Sequence, residues 1–202
     1  MKKTLLLLAG CPGTGKSYFD NWIRKEIPNY FFESSIDVFK EQLYDEKGFD
    51  NLEQRAELDK QAYSMFYDDV RRLMKKGKSI ISDYPFSYKQ HDVLKKIADD
   101  YDYQIITITL IADPDVLYER QQKRDLEPSR HLGHLMTHYH KGDVIKDRSK
   151  IEVKLTRSEY DAFNKKRNYA GFRLGTTIFL DVTDFKTADY EGTITKIKKL
   201  IQ

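Results

Sequence analysis

A chain of 202 residues has the length of one domain, enough to bury a sizeable core. Apolar residues make up 40% and charged residues 33%, so the surface is well solvated, yet Leu, Ile, Phe and Tyr are too frequent for disorder; a net charge of +3 suits a handler of phosphates and is too small for non-specific nucleic-acid binding through bulk charge. The single cysteine, Cys11, excludes an internal disulfide and points to a reducing, cytoplasmic setting, and no apolar run approaches the roughly 18 residues of a membrane span.

Lys2 and Lys3, followed by Leu5 to Leu8 and then Ala9-Gly10-Cys11, imitate a lipoprotein signal with Cys11 as the modified residue. The apolar stretch is at the short limit of a signal core, and cleavage before Cys11 would destroy the glycine loop that follows, so retention is expected. Residues 4–10, TLLLLAG, form a continuous apolar run, as for a strand buried on both faces. Over 16–27, Phe19, Trp22, Ile23 and Ile27 recur at helical spacing until Pro28. YFFESS at 30–35 reads as a second strand.

The clearest helix is 52–76, capped by Asn51 with Gln54 and stopped by Gly77. Its predicted core stripe is Leu52, Ala56, Ala62, Met65, Phe66, Val70 and Leu73. A third strand follows at 79–83, a helix at 90–100, a strand at 103–112, a helix at 116–124, a strand at 176–183 and a final helix ending near Leu200. Residues 125–155 show no clear period and are long for a plain connection, which predicts a lid. The alternation of strand and helix predicts a single α/β domain, 1–202, with a parallel sheet.

Gly10, Gly15, Lys16 and Ser17 match G-x-x-x-x-G-K-[ST] between a buried strand and a helix. A chance match in a chain this long is on the order of one in a hundred. Glycines let backbone N–H groups curl around phosphates, and the helix N-terminus adds positive character. The expected contacts to a purine nucleotide, taken as ATP, are Gly10, Gly13, Thr14, Gly15, Lys16, Ser17 and Tyr18. Lys16 reaches the β- and γ-phosphates, and the Ser17 hydroxyl ligates Mg²⁺. Cys11 is a small filler of this loop. Phosphoryl transfer to a hydroxyl also needs a carboxylate near the acceptor and cations around the moving phosphate. Asp37 follows the second strand, Asp83 ends the third, and Arg120 and Arg124 share one helix face. The rival reading of Asp37 is a cap on a helix beginning around Val38.

With GCPGTGKS, the Asp37-x-x-Lys40 segment, the strand ending in Asp83, the Arg120/Arg124 helix and the late strand FLDVT, the chain resembles P-loop kinases of the nucleoside-monophosphate-kinase type. It is most similar to the branch of polynucleotide kinases, zeta-toxin-like kinases and chloramphenicol phosphotransferase. The resemblance implies a three-layer P-loop NTPase fold, a five-stranded parallel sheet of order 2-3-1-4-5, and a helical lid. It implies Asp37 as general base, Asp83 near the metal or the acceptor, Arg120 stacked on adenine, and Arg124 on the transferring phosphate. The rival reading of each arginine is a surface ion pair with a neighbour such as Glu119 or Asp125. Lys40 stands where polynucleotide kinases carry arginine, so it would grip substrate without a bidentate fork.

Four histidines fall in RHLGHLMTHYH, 130–140. His134 and His138 could pair on a metal if this were a helix; with Arg130 beside them and Lys141, Lys146, Arg148 and Lys150 after them, a lid that grips phosphate or substrate is the favoured expectation. The overall expectation is an ATP- and Mg²⁺-dependent kinase whose acceptor is a small molecule or a nucleic-acid 5′ end, with no membrane partner. The alternatives are an ATPase or regulator that transfers only to water and a nucleic-acid-binding module that kept the loop.

Overall fold

The computed structural model describes all residues, 1–202. Five strands, β1 (Thr4–Gly10), β2 (Phe31–Glu33), β3 (Ser79–Asp83), β4 (Gln104–Ile111) and β5 (Thr176–Asp181), form one sheet of order β2-β3-β1-β4-β5. Every pairing is parallel. This is the predicted sheet. Helices α1 (Lys16–Glu26), α2 (Ile36–Lys47), α3 (Leu52–Lys75), α4 (Tyr88–Asp100), α5 (Pro114–Asp125), α6 (Arg157–Arg167) and α7 (Tyr190–Leu200) surround it. No helix is long and apolar enough to cross a membrane.

The run TLLLLAG is apolar at every position because β1 is central and its side chains alternate between two cores. Leu5, Leu7 and Ala9 pack with Phe66, Val70, Leu94 and Ile97 on one face. Leu6 and Leu8 pack with Phe19, Ile23, Ile194 and Ile197 on the other. Burying such side chains is worth about 1.5–3 kcal/mol each. A smaller core of Leu43, Tyr44, Phe49, Leu58, Ala62 and Tyr139 ties α2 and α3 to residue 139.

Several expected boundaries shift. The second strand is three residues long, not six, because the chain leaves the sheet at Ser34, whose hydroxyl donates to Asp69 Oδ2 (2.8 Å), and Ser35 is already the N-cap of α2. The stripe on α3 starts later than predicted: Leu52 is exposed and Leu58 is buried, since the first turn of this long helix overhangs its neighbours. The Asn51 cap is present, accepting from the Gln54 N–H at 2.9 Å. Helix α6 lies where no helix was predicted, and α2 begins at Ile36, two residues before the helix that entered only as the rival role for Asp37. The expected lid, 125–155, holds the last residue of α5 and two short 3₁₀ turns, 132–134 and 148–150, within otherwise irregular chain.

Candidate functional site

The C-terminal ends of β1 and β3 meet because Leu8 pairs with Asp83 in the parallel register. Beyond β1 the chain turns through Gly10 (φ +126°) and Gly15 (φ +78°), left-handed conformations that glycine adopts without strain. A Cβ on Gly10 would collide with the Leu110 carbonyl, so the loop lies against β4 with no room for a side chain. Gly15 is the N-cap of α1, and the loop and the start of α1 together form a cradle for an anion.

Lys16 is buried at the mouth of this cradle. Its Nζ donates to the carbonyls of Gly10 (3.1 Å) and Cys11 (2.9 Å), and Thr14 Oγ1 donates to the Cys11 carbonyl at 2.9 Å. Burial pushes the ammonium pKa down to about 8; Asp83 opposes the shift and Arg124 adds to it. Cys11 is buried, and burial raises its thiol pKa, which suits a filler rather than a reactive group. Ser17 Oγ donates to Asp83 Oδ2 at 2.5 Å. A hydroxyl and a carboxylate so placed are oxygen donors of the kind Mg²⁺ takes from a protein when substrate phosphates supply the rest, so these two residues fit the ion.

A cleft of about 610 Å³ opens from the cradle. At one end Arg120 donates to the carbonyls of Val182 (2.7 Å) and Thr183 (2.8 Å), and its guanidinium lies 3.6 Å from the Phe185 ring centroid. The exposed Tyr18 lines the same end. The rival surface ion pairs with Glu119 or Asp125 do not form; Arg120 fixes the loop after β5. Arg124 and Arg130 line the middle of the cleft with no carboxylate in salt-bridge contact. Arg130 is mostly buried, its Nε has no protein partner, and burial together with Arg124 pulls its pKa down. Arg148 holds the Arg130 segment from behind by donating to the carbonyls of Arg130 and Pro128, each at 2.9 Å.

The far end is built by α2. With Ser35 at the N-cap, Asp37 sits inside the first turn, lines the cleft and accepts no side-chain hydrogen bond. Lys40, one turn on, is buried between the rings of Tyr63 and Tyr84, with Nζ 3.2 Å from the Tyr84 hydroxyl and 3.4 Å from Asp59 Oδ2. Burial works against its charge, but Tyr63, Asp59, Tyr44 and Asp37 together raise its pKa. Its ammonium therefore braces Tyr84, whose hydroxyl also meets that of Tyr63 at 2.8 Å.

The histidine tract is not a helix and makes no metal cluster. Each ring finds a different carboxylate: His131 with Asp45 (3.0 Å), His134 with Glu41 (3.0 Å), His138 with Glu152 (3.6 Å) and His140 with Asp50 (2.8 Å). Tyr139 adds a bond to Asp45 (2.6 Å) and a backbone bridge to Phe49. The tract is thus anchored on α2 and the loop after it. Only Arg130 and His134 of this segment line the cleft.

Burial holds the His134 pKa down to about 3 against the pull of Glu41, so the ring is neutral and donates Nε2–H to Glu41 without forming an ion pair. The unfolded chain takes up that proton near pH 6.5, so stability is complete above that value and is lost as pH falls towards 3. The loss approaches about 1.4 kcal/mol per pH unit. His134→Gln keeps a donor and removes the titration. Melting curves from pH 7 to 4 are expected to show the wild-type advantage over this variant shrinking as pH falls; a constant difference counts against a buried neutral ring.

Sequence reasoning missed Tyr84 and Phe185 as cleft residues. Tyr84 was in reach, as the neighbour of Asp83 at a strand end. Phe185 and Arg120 come from separate segments that meet only through the pairing of β4 with β5, and no local pattern marks Phe185 or its contact with Arg120.

A family model described as an AAA domain matches residues 5–138. No curated protein matches the chain. Among solved structures, a candidate kinase from Chloroflexus aurantiacus is similar over 100% of both chains at 21% identity, with a TM-score of 0.77. A gluconokinase from Sinorhizobium meliloti is similar at 11% identity over 98% of this chain and 94% of that one, TM-score 0.56. A shikimate kinase from Bacteroides thetaiotaomicron is similar at 12% identity over 98% and 97%, TM-score 0.54. These likenesses place the fold with the P-loop kinases, as the motifs imply.

Proposed function

The chain belongs to the AAA-domain family, and on the geometry of its cleft we propose that it transfers the γ-phosphoryl group of ATP to a hydroxyl acceptor. The observation that carries this reading is Asp37, a carboxylate with no side-chain hydrogen-bond partner, lining the same cleft as Lys16, Arg124 and the hydrogen-bonded Ser17–Asp83 pair. A carboxylate so placed can take a proton from an attacking hydroxyl, and the acceptor panels below separate an acceptor hydroxyl from water.

In this reading the triphosphate lies on residues 10–17 and the base between Arg120, Phe185 and Tyr18. Ser17 and Asp83 hold Mg²⁺, which when bound neutralises charge on the phosphate oxygens. Asp37 takes the proton from the acceptor hydroxyl as its oxygen forms a bond to the γ-phosphorus and the bond to the departing ADP oxygen breaks. Lys16, Arg124 and Arg130 stabilise charge on the moving group. Lys40 keeps Tyr84 in place at the acceptor side. The acceptor in this reading is a small molecule or a nucleic-acid 5′ end.

Incubation with γ-labelled ATP and separate panels of nucleosides, sugars, aminoglycosides and 5′-hydroxyl oligonucleotides tests the reading. Label is expected in one panel, with ATP turnover rising with acceptor concentration and lost on chelation with EDTA. ATP turnover that no acceptor alters, with no labelled product, would overturn it.

A further inference from the structure

Tyr169 lines the cleft, while Asn168 and Gly171 of the same turn line a separate pocket of about 280 Å³, walled by the start of α4, the end of α6 and residues 168–173. Two arginines line this pocket, Arg167 and Arg173. Neither pairs with a carboxylate or donates to a carbonyl, and in this chain that is unusual. Arg24, Arg71, Arg72 and Arg157 form ion pairs, and Arg55, Arg120 and Arg148 donate to backbone carbonyls. The arginines left over are Arg124 and Arg130, which line the cleft where phosphates are expected, and the two in this pocket.

Both guanidiniums are held against aromatic rings, Arg167 at 5.4 Å from the Phe163 centroid and Arg173 at 4.7 Å from that of Phe179. Such stacking fixes the plane of the group without using its N–H donors. Arg167 Nε is buried out of reach, so that arginine acts through its terminal N–H groups. The pocket wall has one carboxylate, Asp92, and His91 Nδ1 already donates to it at 2.7 Å. The positive end of α4 adds to the field, since its first turn holds no acidic residue. Basic residues at the end of α6 have a rival role in offsetting the helix dipole, which covers Lys165, Lys166 and Arg167. It does not cover Arg173, which belongs to no helix. Arginine forks match phosphate oxygens, and the charge of about −1.5 to −2 on a phosphate monoester suits two of them. The volume lies just under the range of about 300–1,000 Å³ for drug-sized ligands, which leaves room for a phosphate on a small carbon body.

We propose that this pocket is a second anion site, outside the nucleotide cradle, that takes the phosphate group of a small phosphate monoester. The assignment does not rest on the kinase reading. The site backs onto the acceptor wall of the cleft. Burial pushes the Tyr169 hydroxyl pKa up to about 12, and the charge of Arg167 opposes that shift. A phosphate bound at Arg167 offsets this charge, so its presence is felt at a residue that lines the cleft.

Calorimetry on the full chain tests this, with Mg²⁺ and a non-hydrolysable ATP analogue filling the cleft and inorganic phosphate or ribose 5-phosphate as the probe. At least one probe is expected to bind, and Arg173→Gln is expected to weaken it at least about tenfold, the worth of one lost charged hydrogen bond. Arg173 is exposed and touches the exposed ring of Phe179, so this variant is expected to melt with the wild type and to bind the ATP analogue equally well. Arg167→Gln is expected to weaken the probe similarly. Lys166→Gln removes the same charge from the neighbouring surface outside the pocket and is expected to leave probe affinity unchanged. The proposal is overturned if neither probe binds once the cleft is filled, or if binding ignores both arginine substitutions. It is also overturned if Lys166→Gln weakens binding as much as they do, which marks a diffuse field, or if only a single-stranded oligonucleotide added in their place binds.

Discussion

Lys16→Ala is expected to lower ATP turnover by on the order of 10²-fold or more, about 2.7 kcal/mol of lost charge stabilisation, while leaving the fold intact. The ammonium is buried and bonds only to carbonyls and the Thr14 hydroxyl of its own loop, so it stabilises no distant part of the core. Its pKa of about 8, depressed by burial, marks a charge that the folded protein alone holds at a cost. The unfolded chain keeps its proton up to the ordinary lysine value near 10.4, so this charge subtracts stability below pH 8, and the subtraction fades as pH rises from about 8 to 10. The alanine variant is therefore expected to melt at or above the wild-type temperature at neutral pH, with nucleotide binding weakened. In the wild type, affinity for ADP with Mg²⁺ is expected to fall as pH rises above about 8, and in the variant that dependence is absent. Calorimetry from pH 6.5 to 9.5 on both proteins checks each point. A Lys16→Ala protein with full turnover removes the loop from the chemistry.

The parts of this site that are legible in the sequence are those built from neighbouring residues. Gly10, Gly15, Lys16 and Ser17 must follow one another to wrap an anion, so their spacing is itself the geometry. Asp83 can be read because it ends an apolar run that has to be a strand, and parallel strands deliver their last residues to one edge. Helix α2 was legible only as a rival role for Asp37 because its buried face is not uniformly apolar: Ile36, Lys40, Leu43 and Tyr44 lie inward together, and a buried lysine breaks the stripe that would have marked the helix. Helix α6 buries only Tyr160, so periodicity could not find it. A local signal was present all the same, since Thr156 and Glu159 form a capping box, Glu159 Oε2 accepting from the Thr156 N–H at 2.8 Å. The partners of the histidine tract could not be read for a different reason. Its carboxylate partners Asp45, Glu41 and Asp50 lie on or just beyond α2, and no spacing within 131–140 could indicate them.

Asp37→Asn is expected to cut phosphoryl transfer to an acceptor by about 10²–10⁴-fold while keeping the melting temperature and nucleotide affinity. From sequence alone the aspartate had a structural rival, a cap on a helix beginning around Val38, and asparagine would have filled that task equally well. The helix begins at Ile36 with Ser35 at the N-cap position, so Asp37 lies within the first turn and is not the cap. Its remaining structural contribution is a carboxylate near the positive end of α2, worth about 0.3–1 kcal/mol at an exposed site, and the variant's melting temperature bounds that term directly. Stability therefore has little to lose at this position. Proton transfer has much more, since an amide is nearly the same shape as a carboxylate and cannot accept the acceptor's proton. The neighbouring groups define a control. Lys40 and Asp59 brace Tyr84 on the same wall, so Lys40→Met is expected to shift the acceptor KM more than kcat by loosening that wall, whereas Asp37→Asn acts on kcat. If Asp37→Asn transfers phosphate at the wild-type rate, the acceptor hydroxyl loses its proton elsewhere, and Asp37 leaves the mechanism.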